Sequence, residues 1–187
     1  MTLQIIMNGI HQHRLGLLNE DIILHGYFPK HLSKVDFKKI NKLIKKASLI
    51  KSNLNNKRKD LHLGYDKNFQ WLVDYVIHKV RVEHKIDLEL TTFFALHHKK
   101  NETTVKRNHL NYPNLKESSD FVCLYCQKGK GLVTIEYSKN RKKDLFHEIP
   151  IDENKFIIFN SPLEYYISPN ENKNNRTILC MELKDAS

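Results

Sequence analysis

The feature that most limits the fold is a series of eight short β-rich runs that fills the chain from residue 86 onward. They read IDLELTTFFALHH, ETTVKRNHLNY, DFVCLYCQ, GLVTIEYS, DLFHEIPI, KFIIFN, LEYYIS and RTILCMEL. Lys-Lys-Asn, Pro-Asn, Lys-Gly-Lys-Gly, Asn-Arg-Lys-Lys, Asp-Glu-Asn and Asn-Glu-Asn-Lys-Asn-Asn breaks separate them, all of turn-forming composition. Eight strands at this spacing predict a double-sheet jelly roll. Gly129 and Gly131 read as a hairpin turn within it, since neither a GxGxxG nor a Walker pattern surrounds them.

The N-terminal half has a different texture. TLQIIMNG (2–9) and EDIILHGYF (20–28) are β-like. Ser33 and Asp36 make a capping pair for a helix in which Phe37, Ile40, Leu43, Ile44 and Ala47 form the apolar face. Lys38, Lys39, Lys42, Lys45 and Lys46 take its other, solvated side. KSNLNNKRKDLHLGYD (51–66) reads as a loop. A second helix is expected over 67–84, because Phe69, Leu72, Val73, Val76, Ile77 and Val80 fall on one stripe. Trp71 and Tyr75 flank the stripe as packing residues. The expected fold is thus α+β, mainly β: a double-stranded β-helix, or jelly roll, with N-terminal covering helices. One domain over 1–187 is expected, with the helical cover at about 30–84 and the barrel at about 86–184.

Composition narrows the function. Apolar residues make up 40% and charged residues 28%, which suits a folded globular chain. No apolar stretch reaches membrane-spanning length, so no membrane partner is expected. Three cysteines argue against a disulfide framework, and a reducing, cytoplasmic location is expected. The net charge of +10 rests mainly on lysine, a pattern that solvated lysine faces explain. A nucleic-acid partner for this basic surface is the lesser expectation, because such sites usually add arginine and exposed aromatics along a groove.

Among candidate chemical groups, Cys123 and Cys126 in CLYC have the separation of a zinc or redox pair. On a strand, positions i and i+3 point to opposite faces, so both are expected in the core. The HQH sequence at 11–13 has nothing nearby to complete a site, and His97 and His98 beside Lys99 and Lys100 are expected at an exposed strand end. NHLNYPN places His109 and Asn111 two apart on an expected strand end, projecting from one face. FNSPLEYYISPN (159–170) reads as strand, turn and next strand, with Tyr165 and Tyr166 an exposed-looking pair at a barrel rim. Arg176 starts the last strand, and in a jelly roll these elements can converge at one mouth.

In this order and spacing, residues 20–184 resemble the Fe(II)- and 2-oxoglutarate-dependent oxygenases, in particular the small type found in phages and marine bacteria. The resemblance is carried by TTFFALHHKKN, by VCLYCQKGKGLVTI and by FIIFNSPLEYYISPN followed by NNR. FNSPLEYYISPN aligns without a gap beside the family phrase F-P-S-x-L-x-H-x-V-x-P-N. The resemblance implies two imidazoles and one carboxylate on Fe(II), with an arginine pairing the co-substrate carboxylate. His109 matches the first histidine and Arg176 the arginine, whereas Asn111 stands for the aspartate and Tyr165 for the distal histidine. The polar residue two after the arginine is Ile178 here. These departures imply a vestigial metal site and no bound cofactor. They point to a non-catalytic protein that binds or assembles with protein partners or with itself, in a phage as a virion component. The alternative is an active dioxygenase using Fe(II) and 2-oxoglutarate. It would hydroxylate a protein side chain or nucleobase with ligands rearranged onto His97, His98 or His147.

Overall fold

The computed structural model describes residues 11–14, 22–29, 37–46, 60–63, 67–137 and 145–186. Its strands are β1 (His11–Arg14), β2 (Ile22–Tyr27), β3 (Asp60–His62), β4 (Leu88–His98), β5 (Thr104–Arg107), β6 (Phe121–Lys128), β7 (Lys130–Tyr137), β8 (Leu145–Asp152), β9 (Lys155–Asn160), β10 (Glu164–Ile167) and β11 (Arg176–Asp185). Helices α1 (Phe37–Lys46) and α2 (Lys67–His84) precede the main run of strands. Each of the eight expected β-rich runs contains one of β4 to β11. The larger sheet has the order β1-β2-β9-β6-β11-β4-β3 and the smaller β5-β10-β7-β8. Consecutive strands alternate between the two sheets through much of this run, as a jelly roll requires.

The period-two alternation of the central strands builds two cores. On β11, Leu179, Met181 and Leu183 point to the helical side, where they meet Leu72, Val73, Val76 and Val80 of α2. Ile178 and Cys180 point the other way, between the sheets, with Val133, Ile135, Ile149, Ile151, Ile157 and Phe159. Each fully buried large aliphatic or aromatic side chain contributes on the order of 1.5–3 kcal/mol. Cys123 joins the first core and Cys126 the second, so the CLYC pair is divided across the sheet as strand geometry demands. On α1, Ile44 is buried while Lys38, Lys39, Lys42 and Lys46 are exposed.

Several expectations are corrected. The segment 51–66, read as a loop, contains β3, whose Asp60, Leu61 and His62 pair with Leu96, Ala95 and Phe94 of β4. Three residues are too few to show a period, which is why β3 left no pattern. Gly129 does not close a hairpin, because β6 and β7 belong to different sheets. It turns the chain from one sheet to the other with φ +94°, the left-handed region that suits glycine. Trp71 remains 46% exposed, whereas Tyr75 packs edge-on against Phe28 with ring centroids 4.9 Å apart. HQH falls in β1, paired with Ile23–His25 of β2. The TLQIIMNG segment and the Ser33–Asp36 cap lie outside the described residues.

Candidate functional site

The site forms where the smaller sheet meets the edge of the larger one. β5 and β10 pair with a bulge: Arg107 lies opposite Tyr165 and Thr104 opposite Ile167, four residues against three. The bulge turns both Thr104 and Arg107 inward, while Val105 and Lys106 face outward. Tyr165 also lies opposite Ile135, which in turn lies opposite His147. One row across the inner face of the smaller sheet therefore reads Arg107, Tyr165, Ile135, His147.

Tyr165 is fully buried, which corrects the expectation of an exposed rim tyrosine. Its position on β10 between β5 and β7, on the same side as Ile135, sends it into the barrel. Tyr166 takes the alternate position and is partly exposed. His109 lies beyond the end of β5 in irregular backbone, so the expected strand end is also corrected. Its backbone N–H donates to Ser161 O at 3.1 Å, which ties the segment to the turn after β9. Asn111 is in the same irregular stretch, where its N–H donates to Ser118 Oγ at 2.8 Å and its carbonyl accepts from Asn114 N. The alternation that would have put its side chain beside that of His109 therefore does not operate. No hydrogen bond joins Asn111 to His109 or Tyr165 among the described residues.

His109, Tyr165 and three residues that sequence reasoning did not single out form a continuous polar chain. Asp60 accepts two bonds from Arg107 Nη1, each 2.8 Å. Arg107 Nε donates to Tyr165 Oη at 3.1 Å. Tyr165 Oη lies 3.0 Å from His109 Nε2, and His109 Nδ1 lies 2.6 Å from Glu182 Oε1. Burial lowers the His109 pKa despite the opposing effect of Glu182, so the ring is neutral with one proton. That proton sits on Nδ1, facing the carboxylate, and the Tyr165 hydroxyl donates to Nε2. Burial raises the Tyr165 pKa, with Arg107 working against it, so the phenol keeps its proton. Burial would discharge Arg107, but Tyr165 and Asp60 outweigh it and hold the guanidinium charged. Burial acts to raise the Glu182 pKa, but the bond from His109 more than offsets it and the carboxyl stays ionised. The His109 and Tyr165 rings are nearly parallel, at 10°, and Arg107 lies 5.4 Å from the Phe94 ring centroid.

Glu182 had one signal in the sequence: it continues the inward series Ile178, Cys180 on β11. Arg107 precedes His109 by two residues, but the bulge that turns it inward is invisible in the sequence. Asp60 lies on the unrecognised β3.

Arg176 is fully buried at the start of β11. Its Nε and Nη2 approach His98 Nδ1 at 3.2 and 3.1 Å, and Nη2 also donates to Ser168 O at 2.6 Å. Its Nη1 donates to Lys130 O at 3.3 Å. Gly131 leaves the space that the guanidinium fills, since a Cβ there would overlap Arg176 Nη1. All these partners are neutral acceptors. His98, expected at an exposed strand end, is only 6% exposed because it is the acceptor for this arginine. His97 is half-buried and bonds Thr177 Oγ1 at 3.1 Å. His147 faces inward, but Ile135 stands between it and Tyr165, placing it about 10 Å from that residue at two strand spacings. Among the described residues no three His, Cys, Asp or Glu side chains come together in a way that could hold a metal ion.

In fold, the chain is similar to SnoN, a non-heme α-ketoglutarate-dependent epimerase from nogalamycin biosynthesis. The two are 10% identical, covering 87% of this chain and 79% of that one, with a TM-score of 0.59. It is also similar to an oxidoreductase of the 2OG-Fe(II) oxygenase family from Burkholderia pseudomallei (9% identity, 88% and 85% covered, TM-score 0.59). A third similar structure is HygX from Streptomyces hygroscopicus with nickel and 2-oxoglutarate bound (9%, 87% and 83%, TM-score 0.55). No protein-family model and no curated protein matches the sequence. The likeness is therefore one of fold, and the fold is the jelly roll of the Fe(II)/2-oxoglutarate oxygenases.

Proposed function

We propose that this chain keeps the oxygenase jelly roll as a non-catalytic binding or assembly protein. The observation that carries the reading is the 3.0 Å separation of His109 Nε2 and Tyr165 Oη. Both ring nitrogens of His109 are already engaged, Nδ1 by Glu182 and Nε2 by the phenol. A metal–imidazole bond needs about 2.0–2.1 Å along the Nε2 lone pair, as for zinc, and Tyr165 lies on that approach. A phenol held protonated by burial is a poor ligand, and Asn111 offers a neutral amide where a carboxylate would balance charge. The residues at these positions therefore do not fit Fe(II).

The co-substrate's side of the barrel supports the same reading. Arg176 spends its donors on His98, Ser168 and Lys130, and Ile178 lies two residues on in the apolar core between the sheets. A dicarboxylate would have to displace these bonds and that packing. Of the residues that the resemblance aligns with the metal site, His109 and Tyr165 belong instead to a clasp with Asp60, Arg107 and Glu182 that holds together strands of both sheets. The barrel then supplies a rigid shape to partners, protein chains or further copies of itself.

The test is turnover. Purified protein incubated with Fe(II), 2-oxoglutarate, ascorbate and oxygen is expected to release no succinate above a His109→Ala control. Succinate release that depends on His109 would establish an active oxygenase.

A further inference from the structure

Beside the clasp, a cleft of about 240 Å³ opens between β3, the end of β4 and β5. Asp60, His98, Glu102, Thr104, Val105 and Arg107 are among the residues that line it. Two of its polar groups have hydrogen-bonding capacity that no described residue uses. The first is Arg107, 5% exposed, whose Nη2 has no hydrogen-bond partner among the described residues although its Nε and Nη1 are both engaged. A buried guanidinium donor without an acceptor costs free energy unless something supplies one.

The second is Thr104, 6% exposed, and its state follows from bond directions. Arg176 donates to His98 Nδ1, so the neutral imidazole carries its proton on Nε2. Nε2–H therefore donates to Thr104 Oγ1 at 2.9 Å. The threonine oxygen accepts, and its own hydroxyl proton remains to be given away. Burial and the charge of Arg176 hold the His98 pKa down to about 3, so the tautomer persists at neutral pH.

We infer that this cleft is a binding site for a small neutral molecule presenting a carbonyl acceptor, an amide or a lactam, to Arg107 and Thr104. Charge selects neutral over anionic ligands. Both Asp60 carboxylate oxygens already accept from Arg107 Nη1, and Glu102 adds a second carboxylate to the same lining. With Arg107 compensated by Asp60, an anion entering here meets the further carboxylate of Glu102. Size selects a small molecule, because sites for drug-sized ligands occupy about 300–1,000 Å³. Arg107 Nη2 is shielded, so uptake requires β3 to give way slightly. β3 is three residues long and among the described residues pairs with β4 alone. The inference stands on these donors and is independent of whether the chain is catalytic.

Two-dimensional amide NMR of the full chain tests it with neutral and anionic probes: acetamide against its isostere acetate, and 2-pyrrolidinone against pyroglutamate, the same lactam bearing a carboxylate. Acetamide and 2-pyrrolidinone are expected to shift the amides of Thr103, Thr104 and Val105 saturably, with the anions at least about tenfold weaker, a difference of about 1.4 kcal/mol. Thr104→Val is expected to lose about tenfold in affinity and Thr104→Ser to retain it. Val105 is 50% exposed, so Val105→Trp occludes the cleft without touching the core and should abolish the shifts at unchanged melting temperature. Absence of saturable shifts with all four probes overturns the site. Acetate binding as tightly as acetamide overturns the neutral class, and unchanged binding in Val105→Trp places the ligand elsewhere. Succinate release in the turnover assay would overturn the non-catalytic reading without bearing on this cleft.

Discussion

His109 Nε2 lies 3.0 Å from Tyr165 Oη, and the phenol in turn accepts from Arg107 Nε at 3.1 Å. The tyrosine hydroxyl is thus the middle link between a buried cation and a buried neutral imidazole.

Tyr165→Phe removes that link and nothing else in shape. It leaves Arg107 Nε–H and His109 Nε2 without partners in a dry environment. The expected loss is about 1–3 kcal/mol of folding stability, read from urea unfolding at an unchanged m value. A stability equal to that of the parent would mean that the chain is not cooperative with folding.

Asp60 and Arg107 form an ion pair with side chains 13% and 3% exposed. Asp60→Ala strands the guanidinium and is expected to destabilise by about 3–5 kcal/mol, while an apolar replacement of both partners costs much less. A double-mutant cycle with Arg107→Leu measures this. Additive single effects would show that the two residues do not act as a pair.

The legibility of the fold and of the site differed for physical reasons. Strands β4, β6 to β9 and β11 and helix α2 were legible because their apolar residues repeat at periods of two or 3.6, and the four-residue β5 and β10 through the turn-forming breaks around them. β1 and β3 are short and polar, so they carry no period. At the site, His109, Tyr165 and Arg176 were singled out through the resemblance, but their surroundings were not. The bulge between β5 and β10 sets which side chains face inward, and irregular backbone carries His109 and Asn111. Neither can be read by alternation. His98 looked exposed beside two lysines, yet the register opposite Arg176 buries it.

Acidification should unfold this protein early. Burial lowers the pKa of His98, to about 3, and also that of His109. The unfolded imidazoles titrate near about 6.5. As pH falls below that value, the unfolded chain binds protons that the folded chain refuses. Stability is therefore full above about pH 6.5 and declines by about 1.4 kcal/mol per pH unit for each such proton. Glu182, whose pKa is lowered in the fold, adds a further loss only below the ordinary carboxylate range. Urea midpoints should already fall between about pH 6.5 and pH 5. A flat profile across that window would contradict the neutral, buried assignment of both histidines.

The central claim is that His109 is committed to Tyr165 and Glu182 rather than to a metal. Anaerobic visible absorption with Fe(II) and 2-oxoglutarate tests it most directly, because a bidentate 2-oxoglutarate on Fe(II) gives a charge-transfer band. The parent protein is expected to show no such band at any co-substrate concentration. The Asn111→Asp/Tyr165→His double variant is the comparison, since it supplies the two ligand types that the resemblance implies at these positions. A saturable band in the parent protein, lost in His109→Ala, would contradict the account.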